Sequence, residues 1–570
     1  MKLSLKSLPL IFTSMLLIIF SSCSKKTNVP VPQDAFFVLH VDGASLNAKL
    51  SWDEIKQSEW FKKAKEEVKD ELAKTILDNP EESGINIKSD AYIFMSARGK
   101  GGYAAVTCNL TDEKKFEAFV TKVSNGKKAE IIDGITVLAD NDNIITWKGN
   151  RLVFIADNPD VNPSAGGFGG EIERSNFETD SLVIFAKEIY NLKSSKSLGN
   201  NSKFNSLLKE KGDAHIWVNS GSLYSKSMPA MLALTKANLL FDGNISTAAF
   251  SFENGKIVIK GKNYFNKELA AIFKKYSKRN LDEEMLKMIP AGDVAAVIAM
   301  NYPPEAIKEI ISLLGVDGLL NMFLAEAGFS IGDFVKANKG DVLFAVSDFK
   351  IANKEIKVPI SGDKENTYKK EVTEAKLLFA ISVGDKPAFE KLMNILKDKI
   401  GKETGEAGEI INKTPYQLKD KWFIAGNDSA TVNGFGTTTT DHPFINLIKG
   451  HPAGGYVDIQ KFINGARPSI DKDSTASLIA NESLKYWQDI VFYGGEFKNN
   501  GIESFVEINM VDKNTNSLKQ LNNYFGFIAL KMIDLEKKKK EEYKKWDNQN
   551  DSVVVKPEVI KPKVIKKKIK

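Results

Sequence analysis

Short apolar runs and helix-spaced apolar stripes alternate along this chain, and the same succession occurs twice. Pro32-Gln33-Asp34-Ala35 leads into Phe36–Val41, and Pro290-Ala291-Gly292-Asp293 leads into Val294–Ile298, each reading as a short strand. Trp60, Ala64, Val68 and Leu72 lie four apart and predict one helix, with a less regular counterpart around Ile307–Leu314. Strand pairs follow at Ala91–Ala97 with Gly102–Thr107, and at Asp341–Ser347 with Lys376–Val383. The sharpest match is the next helix. Phe116, Phe119, Val120 and Val123 repeat as Phe389, Leu392, Met393 and Leu396, with Asp112 and Asp385 placed to cap each N-terminus. Phe204, Leu207, Leu208 and Lys209 match Phe444, Leu447, Ile448 and Lys449. Asn254-Gly255 and Asn500-Gly501 both read as type I′ hairpin turns.

Blocks recurring in one order predict an α+β protein made of two tandem homologous domains, residues 33–285 and 286–535, built of antiparallel hairpins and packed helices. Unequal spacing between the blocks implies insertions, expected as loops at Asn162–Asn176 and at the Lys- and Glu-rich Ile356–Thr373. With 570 residues the chain is long enough for two cores.

The N-terminus carries an address. Lys2 and Lys6 precede an apolar run from Leu8 to Phe20, too short to span a bilayer as a permanent helix. Phe20-Ser21-Ser22-Cys23 resembles a bacterial lipobox, with Phe20 where Leu is usual, so residues 1–22 read as a lipoprotein signal peptide and Cys23 as the lipidated residue. Residues 23–32 read as a flexible tether. Two or more acyl chains make such an anchor stable. Ser24 in place of an inner-membrane Asp, and Lys25-Lys26 in place of an acidic export cluster, point to the periplasmic face of the outer membrane.

Net charge is +6, but Glu536–Lys570 holds 13 lysines against six acids. The tail therefore carries more than the whole excess, and the body is slightly acidic, which argues against nucleic-acid binding. Residues 536–570 read as a Lys-rich disordered tail, either merely solvated or drawn to an anionic envelope component.

Chemistry is sparse. Cys108 sits in an apolar strand without a neighbouring base, and the four histidines lack HExxH or HxH spacing, so no metal, cofactor or catalytic residue is assigned. His40 and His215 read as core or rim histidines; His442 and His451, each before a proline, read as loop. Ser206 and Lys209 have dyad spacing but lack companion motifs. Gly99-Lys100-Gly101-Gly102 and Asp140-Asn141-Asp142-Asn143 read as turns rather than phosphate or calcium loops.

Pro32-Gln33-Asp34-Ala35, Val41-Asp42-Gly43-Ala44-Ser45-Leu46 and Leu50-Ser51-Trp52-Asp53-Glu54-Ile55-Lys56-Gln57, with Trp60-Phe61 after them, resemble the DUF4836 family of uncharacterised Bacteroidota lipoproteins. The resemblance implies a lipid-anchored envelope protein and brings no activity. It also makes Asp180-Ser181-Leu182, Asp428-Ser429-Ala430, Asp473-Ser474-Thr475 and Asp551-Ser552-Val553 similar to the phylum's glycosylation tripeptides. The expected function is a non-enzymatic binding or scaffolding lipoprotein. The alternative is an envelope hydrolase whose paired carboxylates leave no linear pattern.

Overall fold

The structure, a computed structural model, describes residues 29–551 except 69, 125, 141, 162–174, 222–235, 291, 361–363, 401–412 and 438–440. Helices and antiparallel strands give an α+β protein. The strands of the first half are β1 (Phe37–Val41), β2 (Ala91–Arg98), β3 (Gly101–Asn109), β4 (Glu130–Ile132), β5 (Ile135–Asp140), β6 (Asn143–Lys148), β7 (Arg151–Asp157), β8 (Ala214–Asn219), β9 (Ile245–Glu253) and β10 (Lys256–Tyr264). Those of the second are β11 (Val294–Asn301), β12 (Asn338–Ile360), β13 (Lys364–Val383), β14 (Tyr416–Lys419), β15 (Trp422–Gly426), β16 (Ala453–Asp458), β17 (Trp487–Lys498) and β18 (Gly501–Met510).

The halves share one pairing scheme. β1 lies between β2 and β8, and from them the ladders run outward through β3, β7 and β6, and through β9 and β10. In the second half β11 lies between β12 and β16, with β13, β15 and β14 beyond one and β17 and β18 beyond the other. β4 and β5 extend the first half alone. The last strands of the two schemes, β10 and β18, pair antiparallel from Lys256↔Asn509 to Tyr264↔Gly501, which joins everything into one 18-stranded sheet.

Helices cross this seam in both directions. The helix Lys267–Lys275, which follows β10, reaches the second half's helix Pro304–Leu313 through Lys275 and Tyr276, both bonded to Glu309 (2.5 and 2.6 Å). The helix Ser517–Asp551, which follows β18, returns to the first half's helix Glu59–Glu67. Trp60 Nε1 donates to Asn522 Oδ1 at 3.1 Å, and Lys63 pairs with Asp534 at 2.5 Å. The helix Glu283–Lys287 straddles the expected 285/286 boundary, and its Met285 and Leu286 pack into the second half's main core with Val297, Leu343 and Ile448. Phe94, Tyr103, Phe204 and Trp217 fill the corresponding core of the first half.

Local chemistry explains several elements. Asp112 accepts from Lys115 N, and Asp385 from Ala388 N (3.0 and 2.8 Å), above helices whose Phe116 and Phe389 are both buried. Four expectations are corrected. The stripe Trp60–Leu72 is two helices, Glu59–Glu67 and Glu71–Asp78, because Val68 is extended and Asp70 caps the second. Ile356–Ile360 and Lys364–Thr373 form no loop. They continue the β12–β13 ribbon in register from Ile360↔Lys364 to Ile351↔Thr373, with Ile356, Val358 and Ile360 at the strand period. The turn before β18 is Asn499-Asn500, both at positive φ (48° and 62°), and Gly501 is already strand; of Asn254-Gly255 only the glycine has positive φ. The tail expected to be disordered from 536 is helical to Asp551, for Lys and Glu are strong helix formers. Asn162–Asn176 falls almost wholly outside the described residues, as does the tail from 552.

Candidate functional site

A cluster of buried polar side chains forms where β1 and β8 lie side by side. His40 and His215 are directly opposed in register, so both rings project from one face of the sheet. Their Nδ1 atoms are 3.0 Å apart, and both residues are buried. His215 Nε2 lies 3.1 Å from the Glu210 carbonyl, which can only accept; Nε2 therefore carries the proton. A neutral His215 then offers the Nδ1 lone pair to the Nδ1–H of His40. That leaves His40 Nε2 buried without a hydrogen bond, facing Asp90 Oδ1 at 3.6 Å. Burial, and next the neighbouring His40, push the basicity of His215 down, with Asp42 and Asp213 opposing. The Tyr92 ring lies against that of His40, tilted by 35° with centroids 4.8 Å apart, and burial together with Asp90 and Asp42 raises its phenol.

Two residues before His215, Asp213 is 1% exposed and fully engaged. Lys49 donates to both carboxylate oxygens (2.7 and 2.6 Å), Ser45 Oγ to Oδ1 (2.5 Å) and Phe252 N to Oδ2 (2.6 Å). Asp42 caps the helix Gly43–Lys49 that carries Ser45 and Lys49, and its own N–H donates to the Asp213 carbonyl at 2.9 Å. The network thus ties that helix to β8 and β9. Ser45 and Lys49 both donate to the one carboxylate, so the cluster clamps their helix to the sheet.

Register transfers the site to the second half. Met300 pairs with Ala453 as Val41 pairs with Ala214, and Asn301 N donates to the Pro452 carbonyl at 2.7 Å as Asp42 N does to that of Asp213. Ala299, Gly454 and Pro452 therefore stand where His40, His215 and Asp213 stand, while Asp341 takes the place of Asp90. The chemistry belongs to one half only.

Other residues singled out in the sequence lie apart. Cys108 is buried in β3, where burial pushes its thiol up to about 12. Ser206 Oγ donates to the Ser202 carbonyl at 2.9 Å on an exposed helix face. His442 Nε2 meets the Pro290 carbonyl at 3.0 Å, and His451 contacts Glu496. Gly99-Lys100 turns β2 into β3, and Asp140 pairs with Asn143 across the β5–β6 turn. Cys23 lies outside the described residues. A shallow depression of about 460 Å³ beside the helix Ser474–Tyr486 is lined by Asp471, Ser477, Asn481, Glu482, Lys485 and Phe527. Its acids are occupied. Asp471 is held below the usual carboxylate range by Ser477 and Arg467, and Glu482 pairs with Lys485 at 2.7 Å. No group of three or more potential metal ligands occurs among the described residues.

Ser45, Lys49 and Asp213 escaped the sequence reading. Ser45 and Lys49 share a helix face, but nothing in the linear order joins them to an aspartate 164 residues from Lys49.

The family profile described as "Domain of unknown function (DUF4836)" matches residues 26–420, more than half of the chain. The chain belongs to the DUF4836 family. The matched span takes in the histidine pair, the Asp213 network and the whole β12–β13 ribbon, and ends just before β15. None of the curated proteins matches the chain. Among solved structures, crystal form I of TP0453 is 12% identical with a TM-score of 0.24, covering 43% of this chain and 80% of that one. Crystal form III is 11% identical at the same TM-score, covering 46% and 90%.

Proposed function

We propose that this DUF4836 protein is a lipid-anchored cell-envelope protein, held through Cys23 and serving as a non-enzymatic binding or scaffolding component. The supporting observation is the apolar run Leu8–Phe20 ending on Phe20-Ser21-Ser22-Cys23, followed by a polar spacer. The location that fits Ser24-Lys25-Lys26 is the periplasmic face of the outer membrane. The shared pairing scheme of the halves supports descent from a duplicated unit, in which one copy kept or gained the histidine pair. The lysines after Glu536 offer an anionic envelope component a multivalent contact that salt would weaken.

The test is fatty-acid labelling of the expressed protein beside Cys23→Ser. The wild type takes up palmitate and stays with membranes through a salt wash, whereas the variant takes up none and is released. A wild-type chain that washes free without fatty acid on its first residue ends the proposal. For the binding role, the purified body is incubated with envelope fractions, and retention no higher than background removes it.

A further inference from the structure

The sheet of the second half keeps one face open. Ile298 on β11, Phe344 on β12 and Phe379 on β13 stand opposite one another in register, with Met300 and Leu377 on the same face, and all five are between 37 and 42% exposed. Together they leave on the order of 400 Å² of apolar side chain in water, the size of patch that marks a binding surface. The equivalent row of the first half is packed. There Leu39, Ile93, Val106 and Phe154 are opposed in the same way, and Val106 and Phe154 are buried with Phe116, Trp147 and Leu138. Leu138 lies on β5, which has no counterpart among the described strands of the second half. The helix Lys386–Ile400 packs Phe389 and Met393 with Phe423 and Ile381, and leaves Phe344 and Phe379 outside that cluster.

The open row ends on a cation. Beyond Phe379 it continues through Ala425 to Tyr416 on β14. Lys397, on the helix Lys386–Ile400, donates to the Tyr416 hydroxyl at 2.5 Å and holds its ammonium 4.6 Å from the centre of that ring. Among the described residues Lys397 meets no carboxylate. At the Leu377 border, by contrast, Asp348 is already neutralised by Lys376 at 2.7 Å. Apart from Tyr416, no side chain in the row from Ile298 to Tyr416 can hydrogen-bond, whereas a protein interface carries about one hydrogen bond per 100–200 Å². The row is therefore an apolar track with one positive end. From Tyr416 to Ile298 it crosses four strand spacings, about 19 Å. One acyl layer contributes about 15 Å to a bilayer core.

We infer that this face binds a long-chain fatty acid, with the hydrocarbon chain across Phe379, Phe344 and Ile298 and the carboxylate at Lys397. The inference rests on the binding role proposed above, to which it gives a ligand, and does not depend on the anchor. Each methylene laid on the row leaves water, and the carboxylate gives Lys397 the charge-assisted hydrogen bond that a neutral phenol does not.

The test uses the chain from Ser24 to Lys570, which keeps every described residue and carries no acyl group of its own. It is titrated with parinaric acid, a polyene fatty acid that is dim in water and bright in apolar surroundings. Emission rises to saturation and falls again when palmitate is added. Phe379→Gln and Lys397→Gln each weaken parinarate binding about tenfold. Phe323→Gln, at an exposed apolar residue on the helix Asp317–Glu326, leaves it unchanged. Lys397→Gln also removes the preference for palmitate over hexadecanol, which a general loss of folding would not do. Emission that never saturates, or that Phe379→Gln and Lys397→Gln reproduce in full, overturns the inference. So does a lipid-free dimer in sedimentation that Phe379→Gln abolishes, since a second copy then covers the face. Parinarate bound with envelope retention at background removes only the wider binding role; retention above background without parinarate binding sinks only the fatty-acid site.

Discussion

Gly526 lies in the C-terminal helix against Trp60 of the first half, and a Cβ built there would stand 2.2 Å from Trp60 Cδ1 and 3.0 Å from Cγ. Two effects compete in Gly526→Ala. Helix propensity favours alanine by about 0.8–1.0 kcal/mol. Overpacking against an indole held by Asn522 costs about 1–3 kcal/mol, because the ring cannot move without giving up its 3.1 Å hydrogen bond. The expected net effect is a loss of up to about 2 kcal/mol. In a Trp60→Ala background the obstacle is gone, and the same substitution stabilises by about 1 kcal/mol. The cycle should therefore show a coupling of about 1–3 kcal/mol, read as urea midpoints at constant slope. Gly318, with open space around its Cβ position, is the control, and Gly318→Ala should stabilise in both backgrounds. If Gly526→Ala and Trp60→Ala prove additive within about 0.5 kcal/mol, the helix does not dock on the first half as described.

Lys49→Met leaves the Asp213 carboxylate buried with only Ser45 and the Phe252 N–H, and should cost about 3–5 kcal/mol in chemical denaturation; a change below about 1 kcal/mol would mean the pair is solvated. Because folding lowers the basicity of His215, the unfolded chain binds the extra proton. Its contribution is thus complete above the unfolded value of about 6.5 and is lost as pH falls below it. Wild type should lose more stability between pH 7 and pH 5.5 than His215→Gln, by up to about 1.4 kcal/mol per pH unit, and parallel curves would count against the neutral ring. With its thiol pushed up to about 12, Cys108 should resist a thiol reagent at pH 8 in native protein and react at once in denaturant; fast native labelling would contradict its burial.

Much of the scaffold was legible in the sequence because its elements advertise themselves locally. Phe116 with Asp112, and Phe389 with Asp385, carry both the apolar spacing and the cap, and the structure places both as read. The errors came where two local patterns overlapped. Lysine and glutamate around Ile356 suggested solvent, yet the period of two beneath them is that of a ladder. Charge after Glu536 suggested disorder, yet the same residues favour helix. What no linear reading could supply is contact across the chain. His40 meets His215 only because β1 and β8 are neighbours, and Trp60 meets Asn522 only because the last helix crosses the seam.

That crossing also sets a clock. Trp60 is separated from Asn522 by 462 residues, and β10 finds β18 only when nearly all of the chain exists. At synthesis rates of about 5–20 residues per second, the early half waits on the order of a minute for the segments that close it. Throughout that interval the β10 edge and the Trp60 side of the helix Glu59–Glu67 stand uncovered.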